Sequence, residues 1–166
     1  MKKLSVLFAA VMMLMSYGVA KAQKIATADV NSILEMMPDK KKADEQLMSF
    51  FKAKQADIQK QAQAFQKEVE EYQKTGAKLT IAQRQAKEQE LQKKQQNIQQ
   101  LSDAAQRDYQ QRQQDAYAPI DKKFNDAVEK AAKANGWDYI FDSNTIGLIY
   151  KAGPDATAAI KKELGL

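Results

Sequence analysis

The fold of this chain is decided by residues 58–72, which read IQKQAQAFQKEVEEY. The apolar side chains of this stretch recur at alternating intervals of four and three residues, at Ile58, Ala62, Phe65, Val69 and Tyr72. That spacing is the seam of a coiled coil, in which one helix packs against another along a narrow apolar stripe. Because residues 40–74 contain neither Gly nor Pro, the stretch predicts one long helix.

A second long helix is predicted to follow after a short turn. Gly76 can adopt the left-handed conformation that ends a helix, and Thr80 begins the next helix with Gln83 as its capping-box partner. The second helix carries its own sparse apolar series, at Leu91, Ile98, Leu101, Ala105 and Tyr109. We expect Pro119 to kink or briefly interrupt this helix, and the Asn-Gly pair at residues 135–136 to end it.

These two helices predict an antiparallel hairpin, a helical arm at residues 39–118. At a rise of about 1.5 Å per residue, an arm helix of about 35 residues reaches roughly 50 Å. The seam is thin, because polar side chains occupy positions where a strong coiled coil carries Leu or Ile: Gln85, Glu88, Lys94 and Gln95. Such an arm has little apolar area to bury, so we expect it to flex, most of all toward its tip.

The segments before and after the arm predict a small β-containing core. Residues 24–30 alternate in the manner of a strand, and the Asn-Ser pair at residues 31–32 is expected to cap a brief helix. Residues 138–142 and 146–151 are β-branched and aromatic runs around a Ser-Asn-Thr turn, which predicts a β-hairpin. Asp155 is expected to cap a last helix.

The predicted fold class is therefore α+β and mostly α. A small β core, formed by residues 23–38 and 119–166, carries one long antiparallel helical-hairpin arm. The 64 residues of that core are marginal for an independent hydrophobic core. We expect oligomerisation to stabilise such a small core, and free strand edges allow two subunits to pair.

The first 22 residues have the pattern of a secretory signal peptide. Lys2 and Lys3 precede an apolar run at residues 4–15, which is too short to be a good membrane span. A small-x-small site ends at Ala22, so we expect cleavage between Ala22 and Gln23; a retained anchor is the alternative. Removal of the leader lowers the net charge from +5 to about +2, which takes away the main support for nucleic-acid binding.

The composition excludes most catalytic chemistry. The chain contains neither Cys nor His, so disulfides, Cys/His zinc sites and Ser-His or Cys-His catalysis are impossible. No GxxxxGK[ST] loop for nucleotide phosphates is present, and carboxylate pairs such as Asp138 with Asp142 lie where large pKa shifts are not expected. Twenty of the 21 glutamines fall between Gln46 and Gln114, a helix composition rather than that of a globular enzyme. We therefore expect no enzyme activity, no cofactor and no metal site.

The order of these segments resembles the Skp (OmpH) family of periplasmic chaperones, over essentially the whole chain after the leader. The resemblance is carried by the strand at residues 24–26, by residues 31–34 (NSIL) and by the long Gln/Lys helical pair. Residues 136–142 (GWDYIFD) resemble the family's strand after the long helix, and residues 155–161 (DATAAIK) resemble its terminal helix.

The resemblance implies a homotrimer in which a small β assembly carries three helical arms. It also implies an ATP-independent periplasmic holdase that keeps unfolded outer-membrane proteins from aggregating in the cavity between the arms, with no stable membrane anchoring. The charge of the arm departs from the family, whose arms are strongly basic, because residues 39–118 hold 15 basic and 12 acidic residues. This departure weakens the case for long-range electrostatic capture of clients and for contact with anionic lipid.

Two groups of residues are candidates for these roles. The client-contact candidates flank the arm tip and are Phe65, Val69, Tyr72, Leu79 and Ile81. The alternative for the first three is a place in the hairpin seam. The candidates for the β core and trimer interface are Ile25, Ile140, Phe141, Leu148 and Tyr150. Their alternative is a core within one subunit that has no role in assembly.

The main alternative function is a passive coiled-coil scaffold or spacer of the cell envelope. It predicts a continuous apolar seam and stiff arms, and the polar positions in the seam argue against it. Nucleic-acid binding lacks a basic footprint. The polar faces of the hairpin are dominated by Gln, which is not typical of a helix that lies on a membrane.

Overall fold

The computed structural model describes residues 23–166, so the predicted leader, residues 1–22, lies outside the described residues. The elements in chain order are β1 (Ile25–Ala28), α1 (Val30–Met36), α2 (Pro38–Thr75), a 3-10 turn (Gly76–Lys78), α3 (Ile81–Asn135), β2 (Tyr139–Asp142) and α4 (Thr157–Leu164). Two helices of 38 and 55 residues dominate the fold. The predicted mostly α architecture, with a long helical hairpin and a small sheet, is confirmed.

Local sequence signals set the turn between α2 and α3. The Thr80 hydroxyl accepts a hydrogen bond from the backbone N–H of Gln83 (3.3 Å), and the Gln83 side chain accepts one from the backbone N–H of Thr80 (3.0 Å). This capping box confirms the predicted start of α3. The left-handed conformation predicted for Gly76 is wrong, since its φ is −59° and it opens the 3-10 turn. Gly76 instead leaves room for the ring of Tyr72, which would lie 3.0 Å from an added Cβ.

Helix α3 runs through Pro119 without interruption, contrary to the expectation of a break. A proline inside a helix removes one backbone hydrogen bond, to the carbonyl four residues earlier. Pro119 and that residue, Asp115, are both exposed, so water can replace the lost donor. The neighbouring Ile120 is buried and keeps the helix against the core. The end of α3 is as predicted, with Gly136 in the left-handed conformation (φ 67°).

The sheet consists of β1 and β2 running parallel, in a register that pairs Ile25 with Tyr139 and Ala28 with Asp142. The predicted β-hairpin is wrong, because residues 146–151 form no strand. Two parallel strands need a long crossover between them. Here the whole helical hairpin is that crossover, and it returns the chain to the side of β1.

Backbone hydrogen bonds hold β1 from both edges. On the β2 side, the N–H of Ser143 donates to the carbonyl of Ala28 (2.8 Å). On the opposite side, Thr27 donates to the carbonyl of Pro154 (2.9 Å) and accepts from the N–H of Ala156 (2.7 Å). The segment that leads into α4 therefore takes the place that a third strand would occupy.

The caps of the two short helices differ from prediction by a few residues. Helix α1 is capped by Asp29, whose carboxylate accepts from the N–H of Ser32 (3.0 Å), rather than by residues 31–32. At α4 the Asp155 carboxylate accepts from the N–H of Thr157 (2.8 Å), while Ala156 occupies the N-cap position. The hydrogen bond from the N–H of Ser32 lowers the pKa of Asp29, and hydrogen bonds from the side chain and then the N–H of Thr157 lower the pKa of Asp155.

The core lies where the sheet meets the helices. One buried cluster packs the inner face of the sheet against α1, α3 and α4 and comprises Ala26, Ala28, Ile33, Ala127, Ala131, Ala156 and Ile160. A second cluster at the root of the arm comprises Met37, Ala43 and Ile120. We call residues 23–38 and 119–166 the body and residues 39–118 the arm; the predicted boundary between them falls within α3.

Candidate functional site

The arm buries very little of itself. Of residues 48–119, all of which the structure describes, only Gly76 and Leu91 are buried. Most apolar positions of the predicted seam, among them Ile58 and Ile98, are half-buried between the two helices, whereas Ala62 is exposed. Partly accessible apolar side chains and exposed amides therefore run along the arm, which makes the arm the first candidate for a functional surface.

The structure places the tip candidates mainly between the two helices. Phe65, Val69, Tyr72 and Leu79 are half-buried, and Phe65 lines a small interhelical cleft together with Ile98. Only Ile81 lies fully open, with 77% of its surface exposed. Half-burial leaves part of each seam side chain accessible, and contact with clients stays a prediction for all five.

The polar position at Lys94 is filled by an ionic contact across the seam. Its ammonium group lies 2.6 Å from the carboxylate of Glu68 on α2 and 2.8 Å from that of Glu90 on its own helix. Lys87 adds a bridge of 3.3 Å to Glu68. The hydrogen bond from Lys94 lowers the pKa of Glu68, and the same bond raises the pKa of Lys94. The seam is thus held in register by charges that remain in contact with water.

A second cross-helix polar contact lies closer to the tip. The Tyr72 hydroxyl donates a hydrogen bond of 2.7 Å to Glu88, and this carboxylate raises the pKa of Tyr72. Glu88 is one of the positions at which the sequence predicts a gap in the apolar seam. Hydrogen bonds to water-exposed groups stabilise a contact only modestly, so the tip is held by specific but weak interactions.

The root of the arm is clamped more firmly. The Tyr117 hydroxyl donates to the carboxylate of Asp44 (2.6 Å), which also accepts from Lys40 (2.6 Å). The Asp44 carboxylate raises the pKa of Tyr117 to about 12, and the hydrogen bonds from Lys40 and Tyr117 lower the pKa of Asp44. This cluster lies beside the buried residues Met37, Ala43 and Ile120, so the arm joins the body through a partly dry contact.

An aromatic cleft lies between the root and the middle of the arm, and sequence reasoning missed it. The cleft has a volume of about 430 Å³ and is lined by Phe50, Phe51, Lys54, Gln55, Ile58, Ser102, Ala105, Gln106 and Tyr109. Phe51 and Tyr109 meet edge to face with ring centroids 5.9 Å apart, and 49% of Phe51 is exposed. One sequence signal was available: Phe50 and Phe51 are adjacent, and adjacent helical residues cannot both face one seam.

The body presents a second exposed apolar surface, on the outer face of the sheet. The register places Ile25 and Tyr139 on this face, and all of Ile25, Tyr139 and Phe141 are about half exposed. The rings of Tyr139 and Phe141 stack with centroids 6.3 Å apart. Ile140 points the other way and packs against the buried cluster of the body. Of the five interface candidates, Ile140 thus contributes to the core of a single subunit.

The segment after β2 also exposes apolar side chains. Leu148 and Tyr150 are exposed, and so are Ile146 and Ile149, which the sequence analysis did not single out. Four large apolar side chains within residues 146–150 are therefore left open to solvent. Exposed apolar surface of this kind is a candidate for contact with another chain.

Comparison with known proteins decides the family. Residues 24–164 match the family model described as "Outer membrane protein (OmpH-like)". The chain belongs to this family. Curated relatives of this OmpH-like chain include the "Chaperone protein Skp" of Pectobacterium atrosepticum, 26% identical over 149 residues that cover 90% of each chain. The protein of the same name from Yersinia enterocolitica is 24% identical over 144 residues, 87% of each chain.

Solved structures show the same fold for this OmpH-like chain. An OmpH-like protein from Caulobacter crescentus superposes with a TM-score of 0.71 at 15% identity, over 86% of this chain and 84% of that one. The predicted resemblance to the Skp (OmpH) family is thereby confirmed, and the relatives support a chaperone role. In the part of the chain that the structure describes, no helix is long and apolar enough to cross a membrane.

Proposed function

We propose that this chain is an ATP-independent periplasmic holdase that binds unfolded outer-membrane proteins between its helical arms and prevents their aggregation. The observation that carries the proposal is the arm itself, in which only Gly76 and Leu91 are buried among residues 48–119. Two paired helices that bury so little of each other leave their apolar seam partly accessible and most of their amide groups free for a client. The names of the relatives, "Chaperone protein Skp", point in the same direction.

The chemistry of the arm suits a client without fixed structure. Glutamine amides both donate and accept hydrogen bonds, and lysine side chains combine a charged head with an apolar stem. Such a surface offers many weak and adaptable contacts, which hold an unfolded chain without requiring a defined shape from it. The sequence contains no GxxxxGK[ST] loop, so the proposed cycle uses no nucleotide through that motif.

We propose a homotrimer assembled through the body. The support is two groups of apolar side chains that a single chain leaves exposed: Ile25, Tyr139 and Phe141 on the sheet, and those within residues 146–150. In addition, β2 is an edge strand, because β1 is its only partner among the described residues. An open edge beside an apolar face is a common route to association between subunits. Export to the periplasm rests on the predicted leader.

The proposal is tested with the chain lacking its predicted leader, residues 23–166. A urea-unfolded outer-membrane β-barrel protein is diluted into buffer without nucleotide, and its aggregation is followed by light scattering across a titration of the chaperone. We expect suppression that saturates near three chains per client, and a trimer in sedimentation equilibrium. Absence of suppression at every ratio would overturn the holdase proposal and favour the envelope scaffold instead.

A variant of the body separates assembly from client binding. Phe141→Ser removes an exposed aromatic ring from the outer face of the sheet and leaves the arm unchanged. We expect this variant to sediment as a smaller species and to suppress aggregation less well, because isolated arms enclose no cavity. The matched control is Ile81→Ser, which removes an exposed apolar side chain from the tip and is expected to leave the trimer intact.

A further inference from the structure

The aromatic cleft of the arm has the size and lining of a binding site. Its volume of about 430 Å³ lies within the range of about 300–1,000 Å³ that is typical of ligand pockets. The walls are mainly apolar, with three aromatic rings contributed by Phe50, Phe51 and Tyr109. Because Phe51 is 49% exposed and meets Tyr109 edge to face, a further ring can stack on the free face of Phe51.

Two cations stand beside the cleft without an acidic partner. The guanidinium carbon of Arg112 lies 4.4 Å from the ring centroid of Phe50, and the Lys54 ammonium lies 5.6 Å from it. Neither side chain forms a salt bridge with any residue of the described range 23–166. The nearby carboxylates of Asp57 and Asp115 accept hydrogen bonds from Gln61 and Gln111 instead.

Most cations of the arm make no salt bridge within residues 23–166, so the lack of an acidic partner does not by itself single out Lys54 and Arg112. What distinguishes them is their place over the ring of Phe50, beside the cleft. A cation held over an aromatic ring keeps N–H groups that can bind a carboxylate, and arginine binds carboxylates with particular geometric fit. The cleft therefore combines an apolar floor with a rim that is complementary to negative charge.

We propose that this cleft binds an extended client segment in which an aromatic side chain is followed closely by an acidic one. The aromatic ring stacks on the free face of Phe51 beside Tyr109, and the carboxylate pairs with Arg112 or Lys54. The proposal rests on the proposed holdase function and assigns client selectivity to the middle of the arm rather than to its tip. It also gives the nearly neutral arm a local electrostatic preference.

Labelled peptides test the proposal on the chain of residues 23–166. Three unstructured peptides of equal length carry either aromatic and acidic residues, aromatic residues with Lys in place of the acids, or the acids with Ala in place of the aromatics. Fluorescence anisotropy measures the affinity of each. We expect the first peptide to bind most tightly, about tenfold more tightly than the peptide without aromatics. Equal affinity of all three would overturn the proposal.

Two variants test separately the contact with the aromatic ring and the contact with the carboxylate. Phe51→Ser is expected to weaken binding of both aromatic peptides about tenfold. Arg112→Gln is expected to weaken only the acidic aromatic peptide, about threefold, because a charge that is accessible to solvent contributes modestly. The matched control is Arg107→Gln, which removes an exposed cation of the same helix outside the cleft and is expected to change nothing. Equal losses for Arg107→Gln and Arg112→Gln would contradict the assigned rim.

Failure of the cleft can be distinguished from failure of the holdase function. The unmodified chain and the variants are run in parallel in the light-scattering assay with the unfolded β-barrel protein. If all of them suppress aggregation equally and the peptides show no preference, the holdase function stands and the cleft proposal falls. If the cleft variants lose selective peptide binding while the unmodified chain suppresses no aggregation, the cleft stands and the holdase function falls. Should Phe51→Ser fail to fold by circular dichroism, Arg112→Gln and the peptide series still decide the matter.

Discussion

The body and the arm use helices in opposite ways. In the body, Ile33 and Ile160 are completely buried, and alanines bring the helices close to the sheet. The arm, residues 39–118, buries only Gly76 and Leu91 beyond Ala43 and Leu47 at its root. Buried apolar surface stabilises a fold, so we infer that the body contributes most of the stability. Most of the arm's surface faces solvent and, in the proposed function, contacts clients.

The polar groups follow the same division. In the body, side chains such as Asp29 and Asp155 bind backbone N–H groups at the starts of helices. In the arm, apart from the capping box at Thr80, polar side chains bind one another across the seam, as Lys94 does with Glu68. The body contacts fix backbone groups, whereas the seam contacts join side chains that water also reaches.

The largest expected effect contrasts a body residue with an arm residue. Ile160→Ala is expected to lower the free energy of unfolding by about 2–5 kcal/mol, because it leaves a cavity in the buried cluster. Ile98→Ala removes the same atoms from a half-buried seam position and is expected to cost about 1 kcal/mol. Urea unfolding followed by circular dichroism measures both. Equal losses would contradict the division between the two regions.

A smaller effect is expected at the start of α3. Thr80→Ala removes the hydroxyl that accepts the N–H of Gln83 and is expected to cost about 1 kcal/mol of helix stability. The loss is local, so hydrogen exchange should speed up in the first turn of α3 while amides of the body keep their rates. Thr80→Ser keeps the capping oxygen and serves as the control. A change of exchange rate in the body would show that tip and body are more tightly coupled than we infer.

The clamp at the root of the arm gives the next prediction. Tyr117→Phe removes the hydrogen bond to Asp44 and is expected to lower the free energy of unfolding by about 1 kcal/mol or less, since Lys40 still contacts that carboxylate. The control is Tyr109→Phe, whose hydroxyl makes no hydrogen bond to any residue that the structure describes. Thermal unfolding compares the two. An equal or greater loss in Tyr109→Phe would mean that the clamp does not stabilise the root.

The smallest effect on thermal stability is expected for the ion pair of Glu68 and Lys94, and this effect depends on pH. The pKa of Glu68 is lowered from its ordinary value of 4.5 by Lys94, so the contribution of the pair is present above pH 4.5 and is lost as the pH falls through the lowered pKa. Glu68→Gln should therefore melt earlier than the unmodified chain at pH 7 and equally in strong acid. Glu70→Gln, on the same helix but outside the cluster, is the control. A difference between Glu68→Gln and the unmodified chain that is independent of pH would rule out the ion pair as its source.

The arm could be predicted in detail because its structure is set by neighbouring residues. The apolar residues from Ile58 to Tyr72 are spaced alternately four and three apart, which indicates one helix packing on another. The Thr80–Gln83 capping box lies within four consecutive residues. The partly exposed state of the seam followed from the polar residues at Glu88 and Lys94. Signals of this kind need no knowledge of the remaining chain.

The sheet could not be predicted in the same way, because it depends on contacts between distant segments. Residues 138–142 pair with residues 25–28 only once the arm has brought them together, and nothing in their sequence distinguishes this parallel partner from the nearby run at 146–151. The aromatic cleft was missed for a related reason. The adjacent Phe50 and Phe51 show that one ring must lie outside the seam, but the sequence does not place Tyr109 and Arg112 beside them on the other helix.

Hydrogen exchange along the whole chain, with and without an unfolded outer-membrane β-barrel protein, tests the contrast between body and arm most directly. We predict that amides of the body exchange slowly in both samples. Amides at residues 48–118 should exchange faster in the free chain and slow down when the client is bound. Arm amides that exchange as slowly as the body in the free chain, or protection by the client confined to the body, would contradict this account.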